Sequence, residues 1–186
     1  MTTIGRSHAA HLEQVEAPGS MLTKTAERAL AVLRVATGFV FLWAFLDKVF
    51  GFGYATPSAK AWINGGSPTK GFLSNVEAGP LKGMFHSLAG TTFANWAFMI
   101  GLLGIGLAMI LGIGLRVASV SAALMMAMMW LAEWPLASGS SNPIVDYHVV
   151  YAISGVIFAL TYAGHTWGLG RVWAKLPIVQ KNRWLI

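Results

Sequence analysis

The sequence predicts an all-α integral membrane protein: a four-helix bundle with a long outer loop between its first and second helices. Three observations carry that prediction. Of the 186 residues, 55% are hydrophobic and only 11% charged, against roughly 25% charged residues in a soluble domain. Mean hydropathy is +0.60, more apolar surface than a small soluble core could cover. Four apolar segments each approach the roughly 20 residues needed to cross a hydrocarbon core of about 30 Å. A lipid bilayer is the implied partner. The excess of 13 Lys+Arg over 7 Asp+Glu then reads as membrane topology, and no nucleic-acid partner is expected. With no cysteine in the chain, disulfides, thiol redox chemistry and Cys-ligated iron–sulfur or zinc sites are excluded within it.

Residues 1–25 show no helical periodicity and are expected to form a mobile cytoplasmic tail. No apolar h-region precedes residue 29 and no small-residue cleavage site follows the first apolar run, so the first helix is expected to stay in the membrane. The membrane domain covers 26–163. Its spans run from about Ala26 to Lys48, Phe93 to Leu115, Val117 to Trp134 and Ile144 to Ala163, and residues 164–186 form a basic cytoplasmic tail. Only Arg116 separates spans two and three, which makes them an antiparallel hairpin. Eight Lys and Arg lie on the side of the two tails (6, 24, 28, 116, 171, 175, 181 and 183) and four on the other (48, 60, 70 and 82). Because Lys and Arg favour the cytoplasmic side, both termini are placed in the cytoplasm and the protein in the plasma membrane.

Helices in lipid associate through small residues that permit close backbone approach. Three stripes fit: Gly104, Ala108 and Gly112; Ser119, Ala123 and Ala127; Gly155, Ala159 and Ala163. The 44-residue loop from Val49 to Thr92 carries apolar anchors, including Leu81, Met84, Phe85 and Leu88 at helical spacing. It is expected to lie over the bundle as a cap or re-entrant segment.

A charge at the centre of a membrane helix costs about 2.5–3.5 kcal/mol, so each one needs a reason. Arg34 lies roughly 12 Å into span one. Two readings fit it equally: a fixed donor fork for a quinone, lipid headgroup or anion, or a side chain snorkelling to the headgroups. Asp47 and Lys48 end span one, Glu133 ends span three, and Asp146 with His148 begins span four, so five ionisable groups share the outer layer. Trp43, Trp130, Trp134 and Tyr147 lie at similar depth, as an interfacial aromatic belt does. The charged set reads either as ion pairs closing the bundle or as a polar pocket, in which His148 beside carboxylates could relay protons. Asp146 and His148, two residues apart, would face different directions on a helix.

Other chemistries lack their signatures. No HxxxH or HExxH spacing supports a metal, so none is expected, although His86 could approach His148 from the loop. His165 lies about 25 Å along a helix from His148, which argues against an intrinsic bis-His haem. Neither a phosphate-binding GxxxxGK[ST] nor a GxSxG motif occurs. No inverted repeat of broken helices marks a transporter.

Span one, from Arg34 through Gly38 and Trp43 to Asp47-Lys48, resembles the DoxX/DoxD membrane family, in which an early arginine, a glycine one turn later and a terminal lysine recur. Three further segments resemble family patterns: Leu111-Gly112-Ile113-Gly114-Leu115-Arg116, Asp146-Tyr147-His148-Val149-Val150-Tyr151-Ala152 and Gly168-Leu169-Gly170-Arg171. The resemblance covers about Ala26 to Trp173. It implies a four-helix membrane protein, in some members the membrane subunit of a thiosulfate:quinone oxidoreductase beside a second subunit. Other members resemble accessory subunits of redox complexes. The expectation is therefore a quinone-linked membrane oxidoreductase subunit with a partner redox subunit, or a homo-oligomer. Arg34, Lys48 and Trp43 would hold the quinone, and Asp47, Glu133, Asp146 and His148 would handle protons. No intrinsic haem, iron–sulfur cluster or flavin is expected. The rival is a non-enzymatic membrane anchor or assembly subunit whose charges serve only to pair helices.

Overall fold

The computed structural model describes residues 23–137 and 142–186. The expectation of a mobile N-terminal tail falls almost wholly outside the described residues. Helix α1 spans Lys24–Phe50; Thr23 caps it by accepting the Ala26 N–H at 3.2 Å, and Gly51 closes it at φ 69°. Two 3₁₀ turns, Ser58–Lys60 and Trp62–Asn64, and two short helices, α2 (Lys70–Ser74) and α3 (Lys82–Leu88), lead to α4 (Thr92–Leu111). Helix α5 (Leu115–Glu133) follows, then α6 (Tyr147–Leu160), a 3₁₀ turn Ala163–His165, α7 (Gly170–Trp173), α8 (Pro177–Lys181) and a last turn Arg183–Leu185. Among the described residues there is no strand.

Helices α1, α4 and α5 are each long and apolar enough to cross a membrane. Helix α6 is apolar but has only 14 residues, shorter than the segment 144–163 expected from hydropathy. Its ends have local causes. Asp146 caps the start with its side chain, and Tyr162 at φ 50° turns the chain away after Thr161.

Helix α1 packs along α4, and α5 along α6, with α4 and α5 joined by the turn Gly112–Gly114. The core between them contains Phe41, Met99, Leu102, Ile105, Met109, Ala122 and Met126. Close approach of α1 and α4 depends on Gly38 and Gly106: a Cβ on Gly106 would lie 2.8 Å from the Leu42 backbone nitrogen. Gly104, expected in this stripe, is exposed with open space around it. Two positions turn a helix by about 200°, so the residues facing α1 exclude it. Gly155 and Ser119, each from one of the small-residue stripes, meet between α6 and α5: a Cβ on Gly155 would stand 3.6 Å from the Ser119 Cα.

The segment between α1 and α4 is anchored at both sides. Phe85 and Val76 are buried against Ala132 near the end of α5, and Trp62 meets Trp96 edge to face at 4.8 Å. Residues 163–186 also fold onto the helices. Val179 is fully buried, the Trp173 indole donates to the Leu185 carbonyl at 2.6 Å, and Arg116 donates from its backbone N–H to Ile186 and from Nη1 to Arg183.

Candidate functional site

Arg34 is fully buried, and its donors are spent on backbone oxygens. Nη1 donates to the carbonyls of Met109 and Ile110, and Nη2 to those of Thr166 and Trp167 at 3.2 and 3.0 Å. The first two belong to the last turn of α4, where carbonyls have no partner within the helix. A planar guanidinium can serve four such oxygens at once; only Nε–H is left without a partner. Glycines make the approach feasible. Gly112 closes α4 at φ 70°, and a Cβ there would lie 2.8 Å from the Gly164 Cα and 2.9 Å from Nη1. The geometry supports neither snorkelling nor an Nη fork free to hold an anion.

Asp47 is likewise buried and engaged locally. Its Oδ2 accepts the Ala55 N–H at 3.0 Å and its Oδ1 the Tyr54 N–H at 3.4 Å, which ties the chain beyond Gly51 back onto α1. Lys48 stands 5.8 Å from the Phe98 ring centre, a cation–π contact between α1 and α4. Trp43 stacks on Phe52 at 5.6 Å and meets Tyr54 edge to face at 5.3 Å. Asp47 is thus engaged with its own loop and is not among the carboxylates that gather with His148.

Those three come together where α5 ends and α6 begins. Asp146 precedes α6 in extended conformation, so its carboxylate folds back over the first turn: Oδ1 accepts the N–H groups of His148 and Val149, and Oδ2 meets His148 Nδ1 at 2.9 Å. This corrects the expectation that residues 146 and 148 face apart, which holds only if both are helical. His148 is fully buried, and its Nε2 has no partner. The neighbouring Tyr147 hydroxyl donates to Glu133 Oε1 at 3.0 Å, and the Trp130 indole donates to the Ile144 carbonyl at 3.1 Å, pinning the two helix ends together. Tyr147, assigned above only to the aromatic belt, is the polar residue that pattern reading missed; its place directly after a capping aspartate was the available signal.

Ligand atoms of Glu133, Asp146 and His148 lie within 4.8 Å of one another, a spacing a divalent cation could bridge. Each carboxylate is already bonded, however, and His148 directs its Nδ1 to Asp146. His86 does not reach this cluster; its Nε2 bonds the Val76 carbonyl at 2.9 Å. His165 lies beyond α6, where burial and the nearby Arg171 push its pKa down.

No curated protein and no solved structure matches the chain. The DoxX family model matches residues 29–134, more than half of the sequence, from α1 through the end of α5. Glu133 falls inside the match, and Asp146, Tyr147 and His148 follow it. On that match, the chain is a member of the DoxX family of membrane proteins.

Proposed function

We propose that this DoxX protein is a quinone-linked membrane subunit of a redox complex, with His148 as the group that meets the quinone. One observation carries the reading: a fully buried imidazole has one nitrogen on a carboxylate and the other without a protein partner. An ionised Asp146 can only accept hydrogen bonds, so it holds the proton of neutral His148 on Nδ1 and leaves Nε2 as an acceptor. Nε2 can take a proton from a hydroxyl, and the imidazolium so formed is stabilised by Asp146 and can return the proton to a carbonyl oxygen. Tyr147 and Glu133 extend this proton-handling group toward the exposed end of α5. A bound quinone would supply two-electron, two-proton chemistry. With no cysteine and no haem or flavin motif in the chain, the electrons would come from a partner subunit or from a donor that reduces the bound quinone directly. In this reading α6 is the fourth span, both termini face the cytoplasm of a plasma membrane, and the His148 cluster lies at the outer face. A thiosulfate:quinone oxidoreductase-like complex is the setting the family resemblance favours.

The rival is an anchor or assembly subunit without a reaction of its own. The bonding of Arg34 and Asp47 favours it, because two of the most buried charges serve backbone groups alone. The experiment is to purify the chain in mild detergent and quantify extracted quinone per chain by chromatography, comparing wild type with His148→Gln. Near-stoichiometric quinone that is lost in a monodisperse variant supports the redox reading. Background quinone in both samples overturns it in favour of the anchor.

A further inference from the structure

An open cleft of about 340 Å³ lies between the start of α1 and the segment after α6, at the far end of α6 from His148. Its volume falls in the range of about 300–1,000 Å³ typical of small-molecule sites. Lys24, Arg28 and Arg171 line it, with Glu27, His165 and Trp167. Two elements thus converge their basic side chains on one space.

Among the described residues, these cations gather like charge on one space. Lys24 and Arg28 are four residues apart, hence neighbours on one face of α1, where like charges repel. They also sit in the first two turns of the helix, the positive end of its dipole. Among the described residues the sole ion pair is Asp146–His148, and none of the three basic side chains forms a hydrogen bond. Among the described residues that line the cleft, Glu27 offsets one of three positive charges and leaves an excess of two. His165 in the wall has a buried Nε2 without a partner, and Trp167 is 64% exposed at the rim. An exposed tryptophan beside the first turns of α1, a helix long and apolar enough to cross a membrane, suits the headgroup level.

We propose that this cleft binds a phosphate-bearing anion, held by Lys24, Arg28 and Arg171. An anion there relieves the repulsion between Lys24 and Arg28, satisfies the helix end and gives the two arginines an oxygen cluster suited to their planar forks. Two sources share this chemistry: the headgroup of an anionic phospholipid and a free phosphate. The site is independent of the quinone reading, since none of its residues contacts His148 or its partners.

The test uses the full delipidated chain in mild detergent. Phosphatidylglycerol retention is counted by native mass spectrometry against phosphatidylcholine, and inorganic phosphate binding by equilibrium dialysis. The comparison is among wild type, R28Q/R171Q, R28K/R171K and K175Q/K181Q. The last pair removes the same charge from exposed residues outside the cleft. Losing the two cleft-lining arginines that hold the anion should weaken binding by about 30-fold, at roughly 1 kcal/mol each. The expected result is such a loss in R28Q/R171Q, partial retention in R28K/R171K and wild-type binding in K175Q/K181Q. Phosphatidylglycerol bound without phosphate identifies the headgroup as the source; phosphate bound without the lipid identifies the free anion; both together show that the phosphate group suffices. Equal weakening in R28Q/R171Q and K175Q/K181Q would show diffuse surface charge and overturn the site, as would binding of neither probe. The altered side chains form no bonds of the fold, and a monodisperse elution profile confirms that each variant is folded.

Discussion

A guanidinium inside a membrane helix is tolerated when most of its donors are satisfied, and Arg34 places both Nη groups on four carbonyls from two other parts of the chain, leaving only Nε–H without a partner. Hydrogen bonds to a charged group contribute about 1.5–3 kcal/mol each, and a carbonyl left bare in a buried setting costs a comparable amount. Lysine has three donors on one atom and cannot span the same fork. Arg34→Lys should therefore lower stability by about 3 kcal/mol, read as an earlier unfolding midpoint in denaturing detergent. An unchanged midpoint would show that the four bonds contribute nothing. The depth of Arg34 was legible from its place in an apolar run. Its partners were not, because backbone oxygens at 109–110 and 166–167 leave no mark in a pattern of side chains. The same holds for Asp47, whose neighbours are backbone amides. At Asp146 the spacing was visible but its meaning turned on whether the residue was helical.

At the level of elements, α1 and α4 are held close by glycine rather than by large interlocking side chains. Gly106 faces the backbone of Leu42, whereas Gly104 faces open space. Gly106→Val should force the helices apart and destabilise the fold by about 1–3 kcal/mol, the usual cost of overpacking. Gly104→Val should leave the unfolding midpoint nearly unchanged, and a matched drop in both variants would refute the assigned face. Composition and run length made the existence of α1, α4 and α5 plain, because the bilayer fixes how long such helices must be. The phase of α4 was harder to read. Its sequence offers small residues at 101, 104, 106, 108 and 112, and more than one stripe can be drawn through them. Helix α6 is shorter than its apolar stretch for a related reason: hydropathy does not register a capping aspartate or a left-handed tyrosine.

For the molecule as a whole, the docked C-terminal segment links stability to pH. His165 is held below its ordinary pKa of about 6.5 by burial and by Arg171. A base with a lowered folded-state pKa binds fewer protons folded than unfolded, so stability rises with pH. The contribution is fully present above about pH 6.5 and is lost as the pH falls from there toward the folded-state value. Wild type should therefore show a lower unfolding midpoint at pH 5.5 than at pH 7.5, and His165→Asn should flatten this difference. An identical slope in the variant would assign the dependence to another group. The folded nature of residues 163–186 was not legible from their basic composition. What holds them is a set of bonds to Arg34, Leu111 and Arg116, together with one buried valine.

The four carbonyls on Arg34 also set an order of events during synthesis. The first helix enters the bilayer carrying a guanidinium with nothing to bond. Met109 and Ile110 become available once α4 is inserted, and Thr166 and Trp167 only after α6 has been made. From the moment α1 forms, the chain holds an unsettled cation whose demand is met in two instalments. Final closure of the fold is thereby deferred until residues beyond α6 have arrived, so a chain halted before residue 166 would retain a half-satisfied arginine as a mark of incompleteness.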